Sequence, residues 1–441
     1  MSNKSVPLRV ANTLLNALRA GVVPRIGLEH IMVGRRNEIS ALVHDIETVQ
    51  NGAASIRFIV GNYGSGKSFM LQAIRNYAID KGFVVVDADL SPERRLLGNR
   101  NEGLATYKEL MKNMSTKAFP DGGALPLLLQ RWISVLKTEV MEENQITADD
   151  ASLNSMVEIK IYRVLAELQT IVNGFDFARV VSLYWKASVD DDSGLKDRAL
   201  KWMQGGYPTK TEAKNDLGVG IIITDNDWYE YIKLFALFVV KAGYKGMLVL
   251  IDELVYISEL SHTNTRRHNY EKILTLYNDA MQGKVKHLGI IMSATPRCLE
   301  DSRKGLFSYP ALKSRLEDSR FSDSNTHDLL APVIRLKALD ADEIYVLIEK
   351  LEQIHCQVHK YPPRLSHEEM AFFIQNEFSR VGADENITPR EIIKDFIEIL
   401  NIILQNPDRT MRGIFGGADF AYAKSGNNED LIQDEFKGFE V

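Results

Sequence analysis

Residues 59–69 read IVGNYGSGKSF, and Gly61, Gly66, Lys67 and Ser68 fit the pattern G-x-x-x-x-G-K-[ST]. Ahead of them SIRFIV (55–60) is an apolar run of strand length. Behind them FMLQAIRNYAIDKG (69–82) spaces Phe69, Met70, Ala73, Ile74, Tyr77 and Ala78 as one helix face and stops at Gly82. Strand, glycine loop and helix form the context a phosphate-binding loop requires. Glycines let backbone N–H groups turn toward phosphate oxygens, and the helix adds its positive end. The residues expected to contact nucleotide are therefore Gly61, Asn62, Tyr63, Gly64, Ser65, Gly66, Lys67 and Ser68, with Lys67 on the outer phosphates and Ser68 on Mg2+.

A nucleotide site also needs a group that holds the metal and another that positions water. GMLVLIDEL (246–254) is a buried-strand run that ends in Asp252 and Glu253. Two acids at the carboxyl end of an apolar strand are poorly placed for stability and well placed for magnesium. Asp252 is assigned to the metal and Glu253 to the attacking water. HLGIIMSATP (287–296) supplies another strand, ending in Ser293 and Thr295 as equal candidates to sense the γ-phosphate. FVVVDADL (83–90) adds one more, with Asp87 and Asp89 on one face. Together these segments predict a parallel sheet with crossover helices, a doubly wound α/β core.

The composition, 45% hydrophobic and 25% charged, is that of an ordinary globular protein. Lys+Arg 53 against Asp+Glu 59 gives a net charge of −6, so any nucleic-acid surface must be a local patch. Two cysteines, Cys298 and Cys356, make neither a disulfide framework nor a zinc set and fit a reducing compartment. MSNKSVPLRV at the amino terminus lacks the apolar core of a signal peptide, and LFALFVV (234–240) falls far short of the ~20 residues that span a bilayer. A cytoplasmic protein with no membrane partner is expected. The histidines, among them His262, His268, His287, His327, His355, His359 and His367, lack metal-ligand spacing with a third ligand.

About 150 residues separate Leu90 from Met247, too many for a crossover, so an insertion is expected. Its stretches 107–114, 125–141, 159–172, 177–188 and 227–243 are helical in pattern, separated by loops at 189–194 and 205–216. The insertion reads either as a buttress on the core or as a docking module. Lys196, Arg198, Lys201, Lys210 and Lys214 are the local hint of a DNA contact. From about 332 onward, 341–355, 366–382 and 388–407 read as a helical lid. The acidic tail is expected to dock through Leu431, Ile432, Phe436 and Phe439 or to fray.

Several blocks resemble the AAA+ ATPases, and within them the origin-recognition-like branch. IMVGRRNEI (31–39) is similar to that branch's amino-terminal box, which implies Gly34 and Arg35 near the adenine of ATP. FSYPALKSRLED (307–318) resembles the arginine-finger region, which implies that Arg315 reaches a neighbouring subunit's nucleotide. ITPREII (387–393) resembles the second sensor, with Arg390 at the start of a lid helix. The closer resemblance is to the BREX-type ATP-binding proteins of bacterial phage-defence islands, the BrxD-like P-loop family. It runs through VVVDADLSPERRLLG (84–98), ALKWMQGG (199–206), GYKGMLVLIDELVYI (243–257), NYEKILTLYNDAMQGK (269–284) and SATPRCLEDSRKGLFSYPALKSRL (293–316). Ser293-Ala294 departs from the glycines anticipated before Thr-Pro.

The resemblance implies an ATP hydrolase with Mg2+, a homo-oligomer, a helicase-like protein encoded nearby, and DNA as a further candidate partner. It divides the chain into residues 1–90 (amino-terminal segment and P-loop part of the AAA+ core), 91–242 (mainly helical insertion), 243–331 (rest of the core) and 332–441 (lid and acidic tail). The alternative is a slow nucleotide switch of the STAND kind acting as a scaffold; a phosphotransferase is disfavoured because no acceptor pocket is legible.

Overall fold

The computed structural model describes residues 6–166, 168, 174–318, 328–379 and 388–415. The docking residues suggested for the acidic tail lie outside them. Two compact units are present. One contains the described residues of 37–60 and 74–334, and the other those of 6–36, 61–73 and 335–415.

The first unit is built on a five-stranded sheet in the order β2-β3-β4-β1-β5. Its strands are β1 (Ala54–Val60), β2 (Val84–Asp89), β3 (Met247–Asp252), β4 (Leu288–Ala294) and β5 (Val333–Arg335). β1 pairs with β4, β4 with β3 and β3 with β2, all parallel. The near-continuous apolar runs anticipated from the sequence follow from burial on both faces. Register places Val60 beside Ala294, Ile251 beside Met292, and Asp89 beside Asp252, so these carboxyl ends line one edge. In open α/β sheets that edge is where ligands bind. β5 is not anticipated: three residues, Val-Ile-Arg, carry too little pattern. Phe58 N–H donates to Pro332 O at 2.8 Å just ahead of it.

Between β2 and β3 the chain forms the helices Glu102–Lys112, Leu125–Asn144, Leu153–Leu165, Gly174–Val189, Ser193–Met203, Lys210–Leu217 and Trp228–Lys241. The segment 205–216, anticipated as a loop, contains the helix Lys210–Leu217. Thr209 caps it by accepting from Glu212 N–H at 3.2 Å, and Gly218 ends it with φ 67°. Its polar composition hides it from a search for apolar periodicity. The insertion and the sheet share one continuous core. Trp132 meets Phe238 edge-to-face at 5.0 Å and Phe177 meets Phe235 at 5.2 Å within it.

Buried polar groups tie the chain after β2 to this body. Asn269, buried in the helix Thr263–Met281, accepts from Leu96 N–H and Leu97 N–H, both at 3.0 Å, and donates to Leu97 O and Thr265 O, both at 2.9 Å. The Asp225 carboxylate accepts from Gly98, Gly103 and Leu104 N–H at 2.6, 2.7 and 2.9 Å, satisfying the start of the helix Glu102–Lys112.

The second unit is helical. Its core packs Leu14 and Leu18 of the helix Leu8–Arg19 with Ile348 and Leu351 of Ala341–His359, Phe373 of His367–Phe378, and Phe396 and Leu400 of Pro389–Gln405. The last three helices match the anticipated stretches, and each starts with a capping box: Asp340/Glu343, Ser366/Glu369 and Thr388/Glu391.

Candidate functional site

The glycine loop lies in the helical unit. Gly64 and Gly66 have φ +74° and +99°, a region where side chains are strained. A Cβ on Gly64 would come within 2.6 Å of Thr388 Oγ1, and one on Gly61 within 2.5 Å of Ser65 Oγ. A Cβ on Gly66 would meet nothing within 4 Å. The helix Lys67–Asp80 starts at the end of the loop, with Met70 N–H donating to Gly66 O at 2.9 Å. The buried Lys67 amine donates to Gly61 O at 2.9 Å and Asn62 O at 3.0 Å and stands 5.3 Å from the Tyr63 ring centroid. Ser68 follows in the first helical turn, half-buried.

Of the other anticipated residues, Arg35 reaches this loop, with Gly34 directly before it. Gly34 and Arg35 are both left-handed, with φ 59° and 58°. The Arg35 guanidinium donates to Ser65 O at 3.3 Å and to Lys337 O at 2.6 Å. Arg390 is exposed in the first turn of Pro389–Gln405, two residues beyond Thr388, and makes no hydrogen bond or ion pair among the described residues. Thr388 was not anticipated as a loop neighbour. Its visible signal is the T-x-x-E cap of residues 388–391, which marks a helix start and gives no sign of what the helix start touches.

In the sheet unit, Asp252 and Ser293 come together at the carboxyl edge. Ser293 Oγ donates to Asp252 Oδ1, which also accepts from Glu253 N–H at 2.9 Å. Glu253 has φ 61°, costly for a residue with a side chain. Such outliers cluster at functional sites. Thr295 is occupied differently: its Oγ1 accepts from Cys298 N–H at 3.1 Å as the cap of the helix Pro296–Glu300. Asp89 is the register partner of Asp252. Although its side chain reaches solvent, surrounding protein partly desolvates it, and this, with repulsion from Asp252 and then Asp87, pushes its carboxyl above the usual aspartate range.

Arg315 is half-buried in Pro310–Leu316, donating to Asn278 Oδ1 at 3.2 Å and Ala311 O at 2.7 Å. Two of the five basic residues anticipated as a DNA contact, Lys196 and Arg198, face carboxylates, and Lys201 covers a ring. Lys196 stands 3.7 Å from Asp191, Arg198 stands 4.0 Å from Asp192, and the Lys201 amine covers the Tyr207 ring at 4.4 Å. Among the described residues no three His, Cys, Asp or Glu side chains group as a metal cage, and no helix is long and apolar enough to cross a membrane.

The family model described as BREX system ATP-binding protein BrxC/D matches residues 6–419. No curated protein matches the chain.

Proposed function

The chain belongs to the family of BREX system ATP-binding proteins BrxC/D, and from that membership we propose that it is a Mg2+-dependent ATP hydrolase of bacterial phage defence. It uses ATP to control its assembly on DNA, on a partner helicase, or on both. The observation that carries the ATP reading is the loop 61–68, with Gly64 and Gly66 left-handed and the helix beginning at Lys67.

In this reading Lys67 grips the outer phosphates and the loop N–H groups line the phosphate chain. Ser68 and Asp252 offer a hydroxyl and a carboxylate, hard oxygens that suit magnesium, which needs only one or two protein ligands beside phosphate and water. Bound magnesium supplies charge neutralisation on the phosphates. Ser293 and the Glu253 amide hold Asp252 in one orientation. Glu253 orients the attacking water, and Ser293 or Thr295 senses the γ-phosphate. Arg390 from the lid and Arg315 from a neighbouring subunit stabilise developing charge. The protein is a cytoplasmic AAA+-type homo-oligomer on this account.

Glu253→Gln tests the assignment. Binding of radiolabelled ATP should persist while phosphate release is lost, and unchanged release would remove Glu253 from catalysis. The attachment of Arg315 to Asn278 and Ala311 favours a second reading, a slow STAND-like switch with no finger in trans. Turnover per subunit that rises with protein concentration and with DNA supports the first reading; slow, concentration-independent turnover supports the second.

A further inference from the structure

We propose that Arg35 is a positioning residue for phosphate binding, pinning the Ser65–Gly66 peptide so that the Gly66 N–H faces the bound phosphates. The inference rests on the reading of residues 61–68 as the phosphate loop. It departs from the adenine contact that the family resemblance implies for this arginine.

The Arg35 guanidinium donates to two main-chain oxygens, Ser65 O at 3.3 Å and Lys337 O at 2.6 Å. The two acceptors lie 272 residues apart in the chain, on the glycine loop and on the segment leading into the helix Ala341–His359. Arginine suits this bridge because its planar head carries five donors in a fixed fork. Arg35 itself is held at φ 58° directly after the left-handed Gly34, so the turn that delivers the guanidinium is strained as well as specific.

The consequence follows from peptide geometry. In a trans peptide the C=O of one residue and the N–H of the next point in opposite directions. Fixing Ser65 O toward Arg35 therefore fixes the Gly66 N–H away from it. On that side the Gly66 N–H has no acceptor among the described residues, and a Cβ on Gly66 would meet no atom within 4 Å. Nothing intrinsic to the loop enforces this orientation. Glycine at φ +99°, preceded two residues earlier by glycine at φ +74°, tolerates a rotated peptide plane at little cost. Arg35 supplies the missing restraint, so that the donor is already aimed when the anion arrives, and the loop does not have to be ordered by the ligand.

The test separates phosphate positioning from base recognition with a probe that has no base. Dissociation constants for Mg-ATP, Mg-GTP and inorganic tripolyphosphate are measured by calorimetry on the full chain, wild type and Arg35→Ala, with thermal melting as the folding control. Positioning predicts that Arg35→Ala weakens ATP and tripolyphosphate by a similar factor of about ten, with the ATP-to-GTP ratio unchanged. Arg35→Lys, which keeps a donor but not the fork, should recover part of the loss, and it carries the same test if Arg35→Ala does not fold. Tripolyphosphate binding equal to wild type, or a loss confined to adenine nucleotides, overturns the proposal and leaves the ATP reading standing. A wild-type chain that binds neither ATP nor tripolyphosphate overturns both.

Discussion

Ser293 and Asp252 lie at the carboxyl ends of adjacent parallel strands, and the serine hydroxyl donates to the same carboxylate oxygen that the Glu253 amide holds. Thr295, two residues along, spends its acceptor on Cys298 N–H instead. The two substitutions should therefore separate. Ser293→Ala is expected to lower the rate of ATP hydrolysis about tenfold with little change in melting temperature, since it frees the carboxylate proposed to hold magnesium. Thr295→Ala is expected to cost stability, about 1 kcal/mol, through the lost cap. Paired phosphate-release and melting curves decide, and the reverse pattern would make Thr295 the sensor.

Glu253 sits at φ 61°, where a glycine would be relaxed. Relief of about 1 kcal/mol of backbone strain offsets the larger entropy that glycine gains in the unfolded chain. Glu253→Gly should thus melt no lower than wild type while losing turnover. A clear drop in melting temperature would show that the conformation is not strained in this setting.

Asn269, itself fully buried, satisfies two N–H groups and one C=O of the chain that follows β2. Asn269→Leu keeps the volume and abandons those groups, so a loss of at least about 3 kcal/mol in denaturant unfolding is expected. A smaller loss would mean that this stretch finds other partners.

His355 is buried in the helical unit between Tyr361 OH, 2.8 Å from Nδ1, and Asn401 Oδ1, 3.2 Å from Nε2. Burial lowers its pKa from the ordinary 6.5, reinforced by His359 and opposed by the Asn401 bond. The folded form therefore holds its proton less tightly than the unfolded chain. Stability from this group is present above pH 6.5 and is lost as pH falls through the lower folded value. Melting curves between neutral and mildly acid pH should show the decline, and His355→Gln should flatten it.

The strands and the loop were legible because buried parallel strands are written as unbroken apolar runs and the loop as glycines before Lys67. Three features of the site were not. The pairing of Asp89 with Asp252 is a matter of register between segments more than 150 residues apart, and each run alone allows several registers. The contact of Thr388 with Gly64 depends on tertiary placement that no local pattern encodes. The engagement of Arg315 with Asn278 joins two helices whose spacing says only that each has a buried face. The helix Leu8–Arg19 is not anticipated although its leucines recur on one side, because it follows Pro7 with no capping side chain and no acid in its first turn to mark its start.

The aromatic cluster of Trp132, Phe177, Phe235 and Phe238 belongs to the same hydrophobic body as Val84, Val86, Val249 and Ile251 of the sheet. The segment between β2 and β3 is thus no detachable cassette. Excising it would unroof the sheet, so variants that retain the strands should diversify this region by exchanging residues on its outer surfaces and by lengthening its turns, with wholesale deletion forbidden.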